Sequence, residues 1–379
     1  MSEAKGESSL IQEEIIKQFQ ISGELKSIKP LPTGNIHKTY VATYEEDRKE
    51  SRYLVQQINN YVFKNPYEVM DNIEGITTHI QNELKRQNDN KHKVLNVIET
   101  IDNRNMLVCK NEEGIEEFYR VYNFIENTIS HNTTKDHKII ETAGKAFGNF
   151  QKLLNNYPIE TLKETIVDFH HTKNRLKAFE KDIKEDCTKR AKSVENEIKF
   201  ILDRKDICSI IVDKLENKEI PYRVTHNDTK VNNVMFDSSS NDFIAVVDLD
   251  TVMPGSRLYD YGDGIRSASA NVFEDEKDLN KVYMINELFE SYTDGYLSEL
   301  APYMTNKEIN IMGQSILILT LELGMRFLND YINGDKYFKC NYETHNLDRA
   351  RNQLKLVEDI ESKMEYINSY INKSYKKYR

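Results

Sequence analysis

No C-x-x-C pair occurs anywhere in the chain. The four cysteines, Cys109, Cys187, Cys208 and Cys340, stand far apart. Zinc and disulfide frameworks are therefore without support, and the residues read as thiols of a reducing compartment. Positive charge is also in deficit: 52 Lys and Arg against 62 Asp and Glu leave a net charge of −10. This excludes a general nucleic-acid surface but leaves room for a local basic pocket for a small anion. Long apolar runs are missing too. The most apolar stretch, SILILTLELGM, is shorter than a membrane span and contains Glu322. The N-terminal MSEAKGESSLIQEEIIKQF is charged throughout and lacks the apolar core of a secretion signal. The expectation is a cytoplasmic protein with neither a membrane nor a nucleic acid as partner. No G-x-x-x-x-G-K-[ST] segment exists, so a P-loop is excluded.

What is present is a globular composition, 39 % hydrophobic and 30 % charged over 379 residues. That suffices for one large two-lobed domain or two smaller ones. Residues 26–59 predict strands in KTYVATYEE and RYLVQQIN, with PTGN and EEDRKE as turns. Asn65 and Pro66 read as the cap and first position of a helix, and Val69, Ile73, Ile76, Ile80 and Leu84 trace its apolar face. Short strands follow in KVLNVIET, NMLVCK and EEFYRVYNFIE. After residue 128 the periodicity becomes helical, beginning with Ile139, Ala143, Ala146, Phe150 and Leu153. Charged helical segments run to about residue 218, and helices resume from about residue 275 to the end, where NKSYKKYR reads as a solvated tail. The reading is an α+β fold: a small β-rich lobe at 1–122, a hinge at 123–127, and a larger, mostly helical lobe at 128–379 carrying a β-insert.

That insert concentrates the chemistry. In THNDTKVNNVMFD, His226, Asp228 and Asn233 have the spacing H-x-D-x-x-x-x-N of a kinase catalytic loop. Such a loop turns the Asp toward the attacking hydroxyl and the Asn amide oxygen toward a magnesium ion on the phosphates. Lys230 is placed to offset the charge of the transferred group. His226 reads as a packing residue of the loop. Twenty residues after Asp228, the apolar strand FIAVVDLD ends in Asp248, a rigidly supported metal-binding carboxylate in the place of the D-F-G Asp. Asp250 is a weaker candidate, for a second metal or its hydration shell. Upstream, PTGN offers Gly34 and Asn35 as a phosphate-covering loop. The third strand, where a Lys or Arg would meet the α- and β-phosphates, has Gln56 or Gln57 instead. Glu74 reads either as the acidic partner that such a cation would need or as a solvated helix residue.

At these residues the chain resembles the aminoglycoside phosphotransferase and choline kinase superfamily, through HNDTKVNNVMFD and VVDLDTVMPGSRLYDYGDGIR. More narrowly it is similar to bacterial N-acetylhexosamine 1-kinases, through LPTGNIHKTY, INNYVFKNPYEVMDNI, YRVYNFIENT, LELGMRFLNDYINGDKYFK and HNLDRARNQLKLVEDIE. The resemblance implies a protein-kinase-like two-lobed fold that transfers the γ-phosphate of ATP, with Mg2+, to the anomeric hydroxyl of N-acetylglucosamine or N-acetylgalactosamine. By position it makes Asp228 the catalytic base and gives the metal to Asn233 and Asp248. Lys230, Arg326, Tyr337 and, less firmly, His37 fall at the sugar and its phosphate. Adenine is expected along Tyr122 to Ile125, including Phe124. Arg326 inside an apolar helix needs a partner, either a sugar hydroxyl, a cleft acid, or Glu322 one turn earlier. Asp260 in LYDYGD reads as a brace for the loop.

Two other readings stay open. One is the same chemistry on another sugar, choline or an aminoglycoside. The absence of Trp weakens an aromatic cage for a quaternary ammonium, although 22 Tyr keep it available. The other is a non-catalytic pseudokinase, which the intact Asp228, Asn233 and Asp248 disfavour.

Overall fold

The computed structural model describes residues 12–31 and 36–379; Gly34 and Asn35 lie outside the described residues. The chain forms two compact units. One runs up to Thr128 and adds Glu160–Ile166; the other comprises Ile129–Ile159 and Val167–Arg379. The sequence reading placed 160–166 with the helical part. Its backbone instead joins the first unit, where Asn72 accepts from Lys163 N at 2.9 Å and donates to Lys163 O at 2.8 Å.

The first unit is built on an antiparallel sheet. Strands β1 (Glu24–Pro30), β2 (Lys38–Glu46), β3 (Lys49–Gln57) and β6 (Glu116–Asn123) lie side by side, and β4 (Val97–Ile98) and β5 (Leu107–Lys110) both pair with β6. The stretch EEDRKE is mostly strand. Glu46 already faces Lys49, so only Asp47 and Arg48 turn, both at positive φ (52° and 64°), as a two-residue hairpin requires. One sheet face packs Ala42, Tyr44, Val55, Tyr119 and Val121 against Ile15, Ile16 and Phe19. The helix Pro66–Arg86 buries Val69, Ile73, Ile76, Ile80 and Leu84, as their spacing predicts. Each such burial contributes about 1.5–3 kcal/mol. Asn65 stands at the N-cap position, but its side chain makes no capping bond, and Pro66 supplies the start signal by its fixed φ.

The second unit is mainly helical. The helix His137–Leu153 packs closely on Asn286–Leu300, with glycines where the backbones meet. A Cβ on Gly295 would stand 2.0 Å from the Glu141 carbonyl oxygen. Two small antiparallel pairs carry the β-insert: Arg223–Thr225 with Met253–Gly255, and Val234–Asp237 with Phe243–Val246. The run SILILTLELGM belongs to a longer helix than its apolar core suggests, Asn306–Ile332. This 27-residue helix contains an 18-residue window with a mean hydropathy of 1.4, long and apolar enough to cross a membrane, yet 83 % of that window is buried inside the protein. The tail NKSYKKYR is solvated on one face only, with Asn372, Lys373, Lys376, Lys377 and Arg379 exposed. It continues the helix Met364–Tyr378, with Ser374 donating to Asp294 at 2.6 Å and Tyr375 buried.

Candidate active site

The strand Arg223–Thr225 delivers the chain into His226, where it leaves the sheet at Asn227 with φ 65°. A loop so bent needs partners for its N–H groups, and buried Asp260 provides them. Its carboxylate accepts from His226 N at 2.9 Å, Asn227 N at 2.8 Å and Gln151 Nε2 at 2.5 Å, and its carbonyl accepts from Thr229 Oγ1 at 2.7 Å. Asp260 is 0 % exposed. Burial pushes its carboxyl above the ordinary range, with those three donors pulling the other way. The expected bracing role of Asp260 is thus visible in its bonds.

His226 is buried edge-on against Phe147 and Phe150. Its Nε2 faces Val247 O at 2.9 Å while Nδ1 accepts from Asp228 N at 3.3 Å, which suits a neutral ring protonated at Nε2. A second lacing ties this loop to the acidic turn after Phe243–Val246. Asn227 Nδ2 donates to Thr251 O at 2.8 Å and Thr251 Oγ1 donates to His226 O at 2.7 Å. Val247 N donates to Asn233 O at 2.9 Å. Thr229, Val231, Val234 and Phe236 anchor the loop in the core, whereas Met235 is only half-buried.

Asp228 emerges from this frame a quarter exposed. Lys230 Nζ lies 2.8 Å from its Oδ1. Asn233 Nδ2 donates to its carbonyl at 2.8 Å and to Oδ2 at 3.1 Å. The Asp228 charge holds the Lys230 ammonium well above the usual lysine range, with Asp263 adding to it. Asp263 escaped the sequence reading. It is buried, receives Arg266 Nε at 2.8 Å, and shares that arginine with Glu274. Because Asn233 spends its amide nitrogen on Asp228, its oxygen is the end left for a cation. Asp248 stands exposed at φ 62°, a conformation that Asp tolerates better than most residues. Asp250, by contrast, is buried in the following 3-10 turn. Among the described residues no group of three or more His, Cys, Asp or Glu could hold a metal. An amide oxygen and one carboxylate are hard ligands that fit Mg2+, which takes one or two protein groups and fills its shell with phosphate oxygens and water.

A second constellation lies along the helix Asn306–Ile332. Glu322, Arg326 and Asp330 recur every four residues and so share a face. The guanidinium of Arg326 is ringed by Phe169 (5.1 Å), Phe338 (5.6 Å) and Tyr337 (6.0 Å). Its contact with Glu322 is long, 4.0 Å, because Glu322 has His170 Nδ1 at 2.9 Å. Burial works to raise the Glu322 carboxyl, yet His170, Arg175 and Arg326 hold it below the ordinary range. Asp330 organises the loop opposite. It accepts from the backbone N–H groups of Lys336, Tyr337 and Phe338, each at 2.9 Å, and from Asn346 Nδ2. Tyr337 itself is 59 % exposed. Glu322 was named from the sequence as a possible partner of Arg326, whereas Asp330 and His170 were not found; for Asp330 the four-residue repeat of charge within an apolar helix was the available signal.

The remaining candidates belong to the first unit. His37 stacks on Phe63 and accepts from Asn59 N at 3.1 Å. Gln56 is the strand residue engaged by a charge, since its Oε1 accepts from both Nε (3.0 Å) and Nη2 (2.9 Å) of Arg120. Glu74 is exposed and takes Asn105 Nδ2 at 2.7 Å, in keeping with its reading as a solvated helix residue. Tyr122 is buried in the ladder, and Phe124 lies under the Arg52 guanidinium at 4.1 Å. Two backbone donors expected for adenine are already committed, Asn123 N to Asn96 O and Phe124 N to Arg52 O.

The structure thus joins Asp228, Lys230 and Asn233 directly and laces them to the turn bearing Asp248 and Asp250. Arg326 and Tyr337 form a separate group in the same unit. His37, Gln56, Tyr122 and Phe124 are in the other unit. Residues 27–297 match the APH phosphotransferase enzyme family. Among solved structures the chain is similar to a microcompartment-associated aminopropanol kinase, with a TM-score of 0.61 at 15 % identity over 94 % of this chain and 98 % of that one. It is similar to an amicoumacin kinase solved with AMP-PNP and Ca2+, at 0.59 and 14 % over 93 % and 95 %. It also resembles a choline kinase from Cryptosporidium parvum Iowa II, at 0.56 and 14 % over 97 % and 99 %. The likeness is one of fold, the protein-kinase-like combination of a β-sheet N-terminal region with a helical C-terminal part.

Proposed function

The chain belongs to the phosphotransferase enzyme family matched by residues 27–297, and from that premise we propose an ATP- and Mg2+-dependent kinase acting on the anomeric hydroxyl of N-acetylhexosamines. The observation that carries the chemistry is Asp228, held between Lys230 at 2.8 Å and Asn233 at 3.1 Å on a loop braced by buried Asp260. Asp228 takes the proton of the acceptor hydroxyl as that hydroxyl's oxygen bonds to the γ-phosphorus of ATP and the bond from phosphorus to the β,γ-bridging oxygen breaks, releasing ADP. Lys230 stays protonated and offsets charge on the transferred phosphoryl group. Asn233 and Asp248 would hold Mg2+, with Asp250 in support; the ion, when bound, neutralises the β- and γ-phosphates. Gly34, Asn35, Gln56, Tyr122 and Phe124 are assigned to the nucleotide, and His37, Arg326 and Tyr337 to the sugar. The four cysteines are all free thiols, which suits a cytoplasmic setting.

The sugar assignment is supported by the co-occurrence of HNDTK, DLDTVMPG, Arg326 and Tyr337. One feature speaks against a quaternary ammonium acceptor on this face. The rings of Phe169, Phe338 and Tyr337 already surround a cation of the protein, so a second cation would meet repulsion. An anomeric hydroxyl, more acidic than an ordinary alcohol, asks less of the base and leaves the barrier to positioning and charge stabilisation. Incubation with N-acetylglucosamine, N-acetylgalactosamine, glucose, choline and kanamycin, each with ATP and Mg2+, is expected to give fastest turnover on an acetamido sugar. Phosphorus–proton coupling in NMR should place the phosphate on C1. A 6-phosphate, or faster turnover of choline or kanamycin, rejects the assignment.

The Asp330 hub yields a second expectation. Asp330→Ala strips three backbone N–H groups of their acceptor, and the loop bearing Tyr337 loses its anchor. The acceptor KM should rise at least about tenfold, while the KM for ATP changes less than about twofold. Steady-state kinetics with each substrate varied in turn decide this; equal effects on both substrates refer the change to general destabilisation.

A further inference from the structure

The second unit holds two neighbouring guanidiniums, of which only Arg326 has been given a role. The other belongs to Arg175, in the first turn of the helix Thr172–Glu185. Arg175 folds back across the start of its own helix, and its Nε donates to Phe169 O at 3.0 Å. The ring of the same Phe169 lies 5.1 Å from the Arg326 guanidinium. One residue thus seats both arginines, the first by its carbonyl and the second by its ring. Burial draws the Arg175 guanidinium below the usual arginine range, and the Arg326 charge adds to this while Glu322 and Asp168 oppose it.

Their hydrogen-bonding capacity is nearly unspent. Among the described residues Arg326 makes no hydrogen bond to the protein, and Arg175 makes the one through Nε. The carboxylate beside them does not serve them. Glu322 Oε1 is taken by His170 Nδ1 at 2.9 Å and stands 4.0 Å from Arg326, while Oε2 is buried without a hydrogen bond. The terminal nitrogens of both arginines are instead open to solvent. Around Arg326 stand the rings of Phe169, Phe338 and the exposed Tyr337. Donors in a rigid planar fork among aromatic rings suit a ligand that carries several acceptor oxygens on an apolar frame. Glu322 and Asp168 offset the two positive charges, so a neutral polyhydroxyl compound fits better than an anion. The helix Arg257–Ser269 joins this cluster to the chemistry. Its Tyr259 packs on the His170 ring at 5.3 Å, and the next residue, Asp260, braces the loop of Asp228.

We propose that Arg175 is a second acceptor-binding residue, its terminal N–H groups donating to a sugar hydroxyl adjacent to the one held by Arg326. An acceptor lacking that hydroxyl would leave the donors unpaired, so Arg175 sets specificity as well as affinity. The inference rests on the phosphotransferase reading above and deepens its acceptor site.

Steady-state kinetics with ATP and Mg2+ compare the full-length wild type, Arg175→Gln and Arg175→Lys. The acceptors are the faster of the two acetamido sugars and its 3-, 4- and 6-deoxy analogues. The wild type is expected to lose roughly 10- to 100-fold in kcat/KM on at least one analogue. Arg175→Gln should lose as much on the parent sugar, through KM more than kcat, with the KM for ATP within about twofold. It should also treat the parent and that analogue alike to within about threefold, while still distinguishing the others. Arg175→Lys should restore part of the affinity and less of the discrimination, since it keeps the charge but not the planar fork. Three results overturn the proposal: equal use of all the analogues by the wild type, an unchanged acceptor KM in Arg175→Gln, or one factor lost on every sugar with discrimination intact. The last is what a merely structural bond to Phe169 would give. If Arg175→Gln does not fold by circular dichroism, Arg175→Lys is read by the same criteria. Fastest turnover of glucose would correct the acceptor assigned above, and the deoxyglucose series would then decide this inference. Fastest turnover of choline or kanamycin overturns both, because a cation is repelled by a guanidinium pair. So does the absence of turnover with every acceptor tried.

Discussion

Asp228→Asn is expected to lower kcat by about 10²–10⁴, the usual worth of a positioned general base, while the Kd for ATP stays within about twofold. The substitution is close to isosteric. An Asn side chain still offers an oxygen to Asn233 Nδ2, and the bonds from Asp260 to the loop backbone are untouched. What disappears is the proton acceptor and the negative charge 2.8 Å from Lys230. Lys230 would then be freer to lower its pKa toward the ordinary lysine range, since the Asp228 charge is the largest influence raising it. Steady-state kinetics beside a nucleotide titration measure both quantities. A variant retaining more than about a tenth of kcat removes Asp228 from the chemistry.

The second large effect is expected at Asp248. Here Asn is a cleaner replacement than Ala, because the residue sits at φ 62° and Asn shares the tolerance of Asp for that conformation. Asp248→Asn should cost at least about a hundredfold in rate at ordinary Mg2+ and shift the half-saturating metal concentration upward. Its thermal midpoint should stay near that of the wild type, since Asp248 is exposed. The readout is a magnesium titration of the initial rate for both proteins. Superimposable titration curves would take Asp248 out of the metal site.

Local signals were the legible part. The spacing of Val69, Ile73, Ile76, Ile80 and Leu84 marked a helix that exists, because period alone decides which face is buried. The interval from Asp228 to Asn233 likewise marked a loop in which those residues do touch. The role of Asp260 was legible from its place after the loop, but its partner Gln151 was not, lying 109 residues away. The same limit hid Arg120. Within FYRVY it is merely a charge in an aromatic strand; only the register of β3 on β6 brings it to Gln56. Asp330 was hidden because its partners are backbone N–H groups, which carry no side-chain signature. In EEDRKE six polar residues resemble a loop, yet four of them are strand, Glu46, Lys49 and Glu50 exposed and Glu45 half-buried, since the turn end of a hairpin facing water does not need apolar side chains.

The bonds from His226 N and Asn227 N to a carboxylate with no exposure have a temporal meaning as well. Solvent can reach those amide hydrogens only when the loop backbone parts from Asp260, a residue of the helix Arg257–Ser269 that is itself held by Gln151 of the helix His137–Leu153. Loops ordinarily open by fraying, at small free-energy cost, while their scaffold stays closed. This one is tied at two amides to a buried carboxylate, so slow hydrogen exchange at His226 and Asn227, as of a core segment, is the expected result.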